Sequence, residues 1–228
     1  LELGGKSPVI VLDDANLESA VNRVMMGKTL NAGQTCIAPD YVLIPRRYHE
    51  SFIQAAKDWM DKHYPNIEHN PDYSRIINGV QFERVKGYLN ALPSEQVHAL
   101  TSIEANSETR LMPPVIVREP ALDSEVMDNE IFAPILPLIH YETLDDAIHL
   151  VNSRPRPLAL YVFGEHQGDI EQVRNRTVSG GLCVNEVLMH VAQHDLPFGG
   201  VGDSGTGAYH GKAGFERLSH MKPVFVQA

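Results

Sequence analysis

The sequence is poor in cysteine. Among 228 residues there are two, Cys36 and Cys183. Two thiols cannot staple a secreted scaffold, so the pair reads as reduced and the protein as cytoplasmic. Basic charge is also short: 19 Lys and Arg stand against 29 Asp and Glu, a formal net charge of -10. Nucleic acid and anionic membrane surfaces both require a basic footprint, and neither is an expected partner. No apolar run reaches the 18 or so residues of a membrane span. The start, LELGGKSP, is not a signal peptide, and Asn175-Arg176-Thr177 is a chance glycosylation triplet without one. There is no initiating Met and no disordered lead-in. Both ends are expected to be cuts from a longer chain.

What is present is an ordinary globular composition, with 43% hydrophobic residues. A chain of this length buries roughly 70–75% of its extended surface and needs no staples. Pro8–Leu12 (PVIVL) is a continuous apolar run and reads as a buried strand. Asp13, Asp14 and Asn16 can cap a following helix, in which Leu17, Val21, Val24 and Met25 share a face. Strands are expected at 41–44, 115–117, 135–141, 158–163 and 181–184. Helices are expected at 49–63, where Phe52, Ile53, Ala56, Trp59 and Met60 line one side, and at 81–92, 145–151 and 169–174. Residues 65–78 read as loop. A glycine-rich loop at 197–214, a short helix and a terminal strand over FVQA close the chain. Strands alternate with helices, which predicts an α/β fold: one mostly parallel twisted sheet with helices on both faces, in a single domain.

Several motifs fall away on context. Gly200-Val201-Gly202-Asp203-Ser204-Gly205 matches G-x-G-x-x-G, but no strand leads in, no helix opens at the third glycine, and position 225 is Phe. Its glycines read as a surface loop permitting positive φ or close backbone approach. Leu3-Gly4-Gly5-Lys6-Ser7 resembles the end of a phosphate loop, yet a strand follows where a helix should. The histidines are scattered, with no H-E-x-x-H and no C-x-x-C, so no metal site is expected. His210 reads as a hydrogen-bonded or solvated loop residue.

Cys36 stands apart. A lone cysteine is usually a small buried hydrophobe. Here its flank, Gly33-Gln34-Thr35, is small and polar, and Ile37-Ala38-Pro39 lifts the chain into a strand. Cys183 lies in the apolar GLCVN and reads as the inert one. A nucleophilic thiolate requires help, since lowering its pKa by about two units takes roughly 2.7 kcal/mol. Backbone N–H groups could supply part of that. Glu2, between leucines and before two glycines, is either a solvated terminal acid or a general base in an apolar pocket. Sequence physics leaves both readings open.

Five segments, taken together, resemble the NAD(P)-dependent aldehyde dehydrogenase family: LELGGKSP (1–8), GQTC (33–36), EIFAPILP (130–137), SGGLCVN (179–185) and PFGGVGDSGTGAYHGKAGF (197–215). They occur in family order and span nearly the whole chain. CIAPDYVL and GAYHGK resemble the branch of class 3, fatty aldehyde and coniferyl aldehyde dehydrogenases. The resemblance implies that Cys36 is the nucleophile and Glu2, 34 positions before it, the general base for thioester hydrolysis. It implies that the Cys36 backbone N–H donates to an oxyanion and that Glu130 holds the nicotinamide ribose of NAD or NADP. Phe132 would pack near the nicotinamide, Leu3 and Gly4 would line that side, and Phe198 would wall an aldehyde tunnel. It also implies a catalytic domain over 1–228 without its cofactor-binding domain, without the oxyanion Asn and without the oligomerisation segment. The isolated chain is then expected to lack useful dehydrogenase turnover, and the full-length parent to be a homo-oligomer, a dimer by preference. Two other readings compete: a cysteine hydrolase, which needs a His base near Cys36, and a non-catalytic packing domain.

Overall fold

A computed structural model describes all 228 residues. In chain order the main elements are β1 (Pro8–Val11), α1 (Leu17–Thr29), β2 (Tyr41–Pro45), α2 (His49–His63), α3 (Gly79–Asn90), β3 (Val97–Ala99), β4 (Val115–Arg118), α4 (Glu125–Asp128), β5 (Ile135–Tyr141), α5 (Leu144–Asn152), β6 (Ala159–Phe163), α6 (Gln167–Arg176), β7 (Gly181–Val184) and α7 (Gly211–Arg217). The strands form one sheet in the order β3-β4-β5-β2-β1-β6-β7. Every pairing is parallel except β3 with β4. The mostly parallel α/β sheet expected from the alternation is therefore present.

The continuous apolar runs follow from burial on both faces. Val9, Val11, Val42, Ile44, Leu136, Leu138, Tyr161 and Phe163 point to one side and pack with α1 and α2. Ile10, Leu43, Ile135, Ile139, Leu160 and Val162 point to the other and pack with α3, α5 and α6. The period-2 alternation of strands sorts the residues this way. In α2, Phe52, Ile53, Ala56 and Met60 are buried. Trp59 lies at the edge of that face, its indole donating to Asn22 Oδ1 at 2.8 Å.

Caps decide the helix ends. Asn16 Oδ1 accepts from the Ser19 N–H at 3.0 Å. Thr143 and Asp146 form a capping box. Asn78 Oδ1 accepts from the Gln81 N–H at 2.9 Å, so α3 begins at Gly79, two residues before the expected start. Asp14 caps nothing of α1 and instead accepts from the Glu165 and His166 N–H groups.

One expected element is absent. Residues 219–228 form no strand, and Val224, Phe225 and Val226 are 75%, 89% and 81% exposed. The β-rich composition of FVQA is not enough: a strand requires a neighbouring edge to pair with, and none lies alongside. The short antiparallel β3 and the single-turn α4 were not legible as elements.

The sheet presents its amino end to the chemistry-bearing loops. Glu2 precedes β1, Cys36 precedes β2, Glu130 and Phe132 precede β5, and Ser179-Gly180 precede β7. Open α/β sheets usually gather ligands at the carboxyl end, so this grouping is a distinctive feature of the chain.

Candidate active site

The loop carrying Cys36 starts where α1 stops. Three successive residues, Asn31, Ala32 and Gly33, take left-handed φ values of 51°, 52° and 73°. That conformation is costly for Ala32 and free for glycine. Gly33 is also required sterically, because a Cβ there would lie 2.5 Å from the Ala133 carbonyl oxygen. Gln34 staples the turn. Its amide donates to Asn31 O (2.9 Å) and Arg75 O (3.0 Å), and its Oε1 accepts from the Ile77 N–H at 2.9 Å. Cys36 then sits in a turn closed by Ala38 N–H to Thr35 O at 2.9 Å.

The thiol is half-buried. Burial raises its pKa, the facing charge of Glu2 raises it further, and Glu130 adds to that. The backbone N–H groups of Cys36 and Ile37 act in the opposite sense, stabilising the thiolate. The expected activation by backbone groups is therefore in place but outweighed. Desolvation disfavours the charged form, and two nearby carboxylates repel it. The help that backbone N–H groups could give the thiolate is thus present and is outweighed by burial and by the two carboxylates.

Glu2 is exposed and not enclosed in an apolar pocket. Its backbone is fixed by a bridge to Gly205, with Leu3 N–H to Ser204 O at 2.9 Å and Thr206 N–H to Leu1 O at 3.0 Å. This is the use of the glycine-rich loop. A Cβ on Gly205 would lie 2.2 Å from the Leu1 carbonyl oxygen, so only glycine admits the approach. Loop glycines serving close backbone contact were expected, and the dinucleotide reading of the motif has no support: the next helix opens at Gly211.

Glu130 lies against the segment 1–8 at Gly4. Burial pushes its carboxyl up to about 7, with the Gly5 N–H acting in the opposite sense. Gly4 adjoins it so closely that a Cβ would lie 2.8 Å from Glu130 Oε2. Beneath, Lys6 pairs with Asp40 and donates to Val126 O and Asn129 O at 2.9 Å each. Asp40 Oδ1 accepts from the Ile131 N–H at 3.0 Å. Lys28 is buried nearby with no hydrogen-bond partner for Nζ, and burial pushes it down to about 8. Two cations and two carboxylates thus share one desolvated region.

Phe132, at φ 51° and 40% exposed, faces a cavity of about 540 Å³ with Asn31, Gln34, Arg75, Ile77, Asn78 and Gln81. Leu3 is exposed on the segment between Glu2 and Gly4. Phe198 is 3% exposed, so it supports rather than lines an open surface. His210 stacks on it at 5.9 Å, and Tyr209 and His190 pack at 6.2 and 5.6 Å. Cys183 is buried in β7, as expected, and its Sγ lies 3.1 Å from His190 Nδ1. That histidine serves Cys183 and not Cys36, whose charged neighbours are Glu2 and Glu130.

The structure therefore brings Cys36, Glu2 and Glu130 into one charge-coupled group, with Gly4 against Glu130. It sets Phe132 at the rim of a separate cavity and Phe198 in the supporting layer. Sequence reasoning missed Lys28, Asp40, Tyr161 and Tyr209. A lysine on the apolar side of α1 was the one available signal for the first.

A mostly parallel α/β sheet thus gathers a cysteine turn and two carboxylates at its amino end. The chain belongs to the aldehyde dehydrogenase family, whose model matches residues 1–224. It is 46% identical over 232 residues to a probable coniferyl aldehyde dehydrogenase of Caulobacter vibrioides, covering 100% of this chain and 48% of that protein. It is 42% identical over 228 residues to aldehyde dehydrogenase family 3 member A2 of Rattus norvegicus, covering 100% of this chain and 46% of that protein. Among solved structures, the substrate-bound state of Staphylococcus aureus AldH superposes with a TM-score of 0.91 at 39% identity, covering 100% of this chain and 50% of that one. A betaine aldehyde dehydrogenase of S. aureus, in complex with NAD+ and with a modified cysteine, superposes at 0.82 and 27% identity, over 95% of this chain and 45% of that one. The chain spans about half the length of the relatives it matches.

Proposed function

We propose that the full-length protein oxidises an aldehyde to a carboxylic acid with NAD+ or NADP+, and that residues 1–228 are its catalytic domain. The observation that carries this reading is the placement of Glu2 and Cys36 on separate loops whose charges face each other at one end of the sheet. A cysteine with a carboxylate opposite, and no histidine base, suits a reaction in which the base acts on water and not on the thiol.

The roles follow. The Cys36 thiolate attacks the aldehyde carbon, and the carbonyl electron pair moves to oxygen, facing the Cys36 backbone N–H. The cofactor, when bound, supplies the acceptor for the hydride that leaves this carbon. Glu130 suits the ribose hydroxyls, since it is a carboxylate beside a glycine whose missing Cβ leaves its oxygens room. Phe132 offers an exposed aromatic surface to the nicotinamide, and Leu3 is exposed on the segment next to Gly4. Glu2 then takes a proton from water as the water oxygen attacks the thioester carbon. The C–S bond breaks, the acid departs, and the Cys36 thiolate is restored. Phe198 acts on the substrate passage through the aromatic layer it supports.

Coniferyl-type aryl aldehydes are the proposed substrates, on the strength of the relatives named for that aldehyde, with long-chain aldehydes as the second class that the resemblance to the fatty aldehyde branch implies. The remaining cofactor contacts, the second oxyanion donor and the surface for a homodimer belong to the rest of the protein. A cytoplasmic location suits two unpaired thiols. No helix is long and apolar enough to cross a membrane.

The test is NAD(P)H formation by the purified full-length protein with coniferyl aldehyde and with a long-chain aldehyde, each with both cofactors. Aldehyde-dependent reduction lost in Cys36→Ala supports the reading. Undiminished activity in that variant overturns it.

A further inference from the structure

Tyr209 is placed with unusual care for a loop residue. It forms a two-way backbone bridge with Phe198, donating to Phe198 O at 2.9 Å and accepting from the Phe198 N–H at 2.8 Å. Its ring is packed edge-on against Phe198 and against His210, at 6.2 and 4.5 Å. Three residues earlier, Thr206 is tied to Leu1 O, and Gly205 bridges Glu2. One glycine-rich loop therefore fixes both the backbone of Glu2 and the ring of Tyr209. The two side chains line the same cavity of about 270 Å³, together with Leu1, Thr206, Ala208 and Arg217. Tyr209 is 46% exposed, so burial alone does not explain its anchoring.

We infer that Tyr209 is a positioning residue for Glu2, its phenol donating to one carboxylate oxygen and leaving the other to take the proton of the hydrolytic water. This rests on the proposed role of Glu2 in thioester hydrolysis. The hydroxyl is held above the usual phenol range by hydrogen bonding to Glu2 and by its charge, with Cys36 contributing. The shift favours the protonated phenol, which can only donate to the carboxylate. An exposed glutamate has several rotamers, and a fixed donor selects one of them. A carboxylate presented in a single rotamer to the thioester accelerates hydrolysis without touching the first half of the reaction.

The prediction separates the two half-reactions. In the full-length enzyme, Tyr209→Phe keeps the ring and its packing. With p-nitrophenyl acetate and no cofactor, the first turnover, in which Cys36 is acylated, keeps its rate and amplitude. The steady-state rate, which requires deacylation, falls about tenfold, the scale of a hydrogen bond to a charged group. Aldehyde oxidation shows the same split. Glu2→Gln lowers the steady state further, and adding Tyr209→Phe to it changes nothing more, because the two act as one unit.

An unchanged steady state in Tyr209→Phe overturns the inference. So does a first turnover slowed in parallel, or a loss that multiplies with that of Glu2→Gln. If the unsubstituted enzyme turns over the ester and not the aldehyde, the dehydrogenase reading fails while the ester arm still tests Tyr209. If it oxidises aldehyde and Tyr209→Phe is silent, only the inference fails.

Discussion

The hydroxyl of Tyr161 donates to the carbonyl oxygen of Ile37 at 2.6 Å, inside the protein. Tyr161 lies in β6 and Ile37 follows the cysteine, so the bond ties the candidate nucleophile to a strand 124 residues away. Tyr161 is wholly buried. Tyr161→Phe leaves a buried acceptor unpaired and costs about 1–3 kcal/mol. The expected outcome is a lower denaturant midpoint together with faster alkylation of Cys36, whose turn loses a tether. A lower midpoint with unchanged labelling would mean that the turn is held by Gln34 alone.

Gly33 is the pivot of the same turn. It combines φ 73° with a Cβ position 2.5 Å from a backbone oxygen that has no side-chain freedom to move. Gly33→Ala is expected to cost about 2–4 kcal/mol, at the severe end for a single methyl group. Gly87→Ala is the control. It lies mid-helix in α3 with nothing within 4 Å of its Cβ position, and it is expected to stabilise. Chemical denaturation of both variants checks the sign of each.

These two residues show how much the sequence discloses. The strands read at 8–12 and 135–141 show as apolar runs and the helix at 49–63 as a periodic apolar face, because burial on two faces or one imposes these patterns. The polar flank of Cys36 and the apolar setting of Cys183 are legible too. The family segments point to Glu2, Glu130 and Phe132 only through resemblance. What stays hidden is long-range. No local signal places Tyr161 against Ile37, or Asp40 between Lys6 and the Ile131 N–H. Local propensity even misleads at FVQA, where a strand-like composition has no edge to join. The state of the Cys36 thiol is equally non-local, since the carboxylates that raise it come from positions 2 and 130.

Lys28 carries a stability cost that depends on pH. Burial holds its folded pKa at about 8, below the ordinary lysine value of 10.5. Between these values the unfolded chain binds more protons than the folded one, so stability rises with pH across that window. Below about pH 8 the penalty is fully present and amounts to about 3 kcal/mol, at 1.36 kcal/mol per unit. Lys28→Met keeps the volume and removes the charge. It is expected to be more stable than the parent sequence at pH 7, with the gap closing by about pH 10. Denaturation curves at both pH values test this. A variant less stable at pH 7 would show that the cation balances Asp40 and Glu130 by more than its desolvation costs.

The reactivity of Cys36 follows from its neighbours. Burial is the largest cause of its raised pKa and Glu2 the next, ahead of Glu130. Iodoacetamide labelling against pH is therefore expected to show a midpoint above that of a free thiol, with Cys183 silent beside His190. Glu2→Gln removes a facing negative charge and lowers the Cys36 midpoint. Glu130→Gln lowers it by less. Peptide mapping separates the two cysteines and reads each directly. A midpoint below that of a free thiol with Glu2 intact would mean that the N–H groups of Cys36 and Ile37 outweigh burial. A midpoint unmoved by Glu2→Gln would detach the carboxylate from the thiol, and with it the pairing on which the proposed chemistry depends.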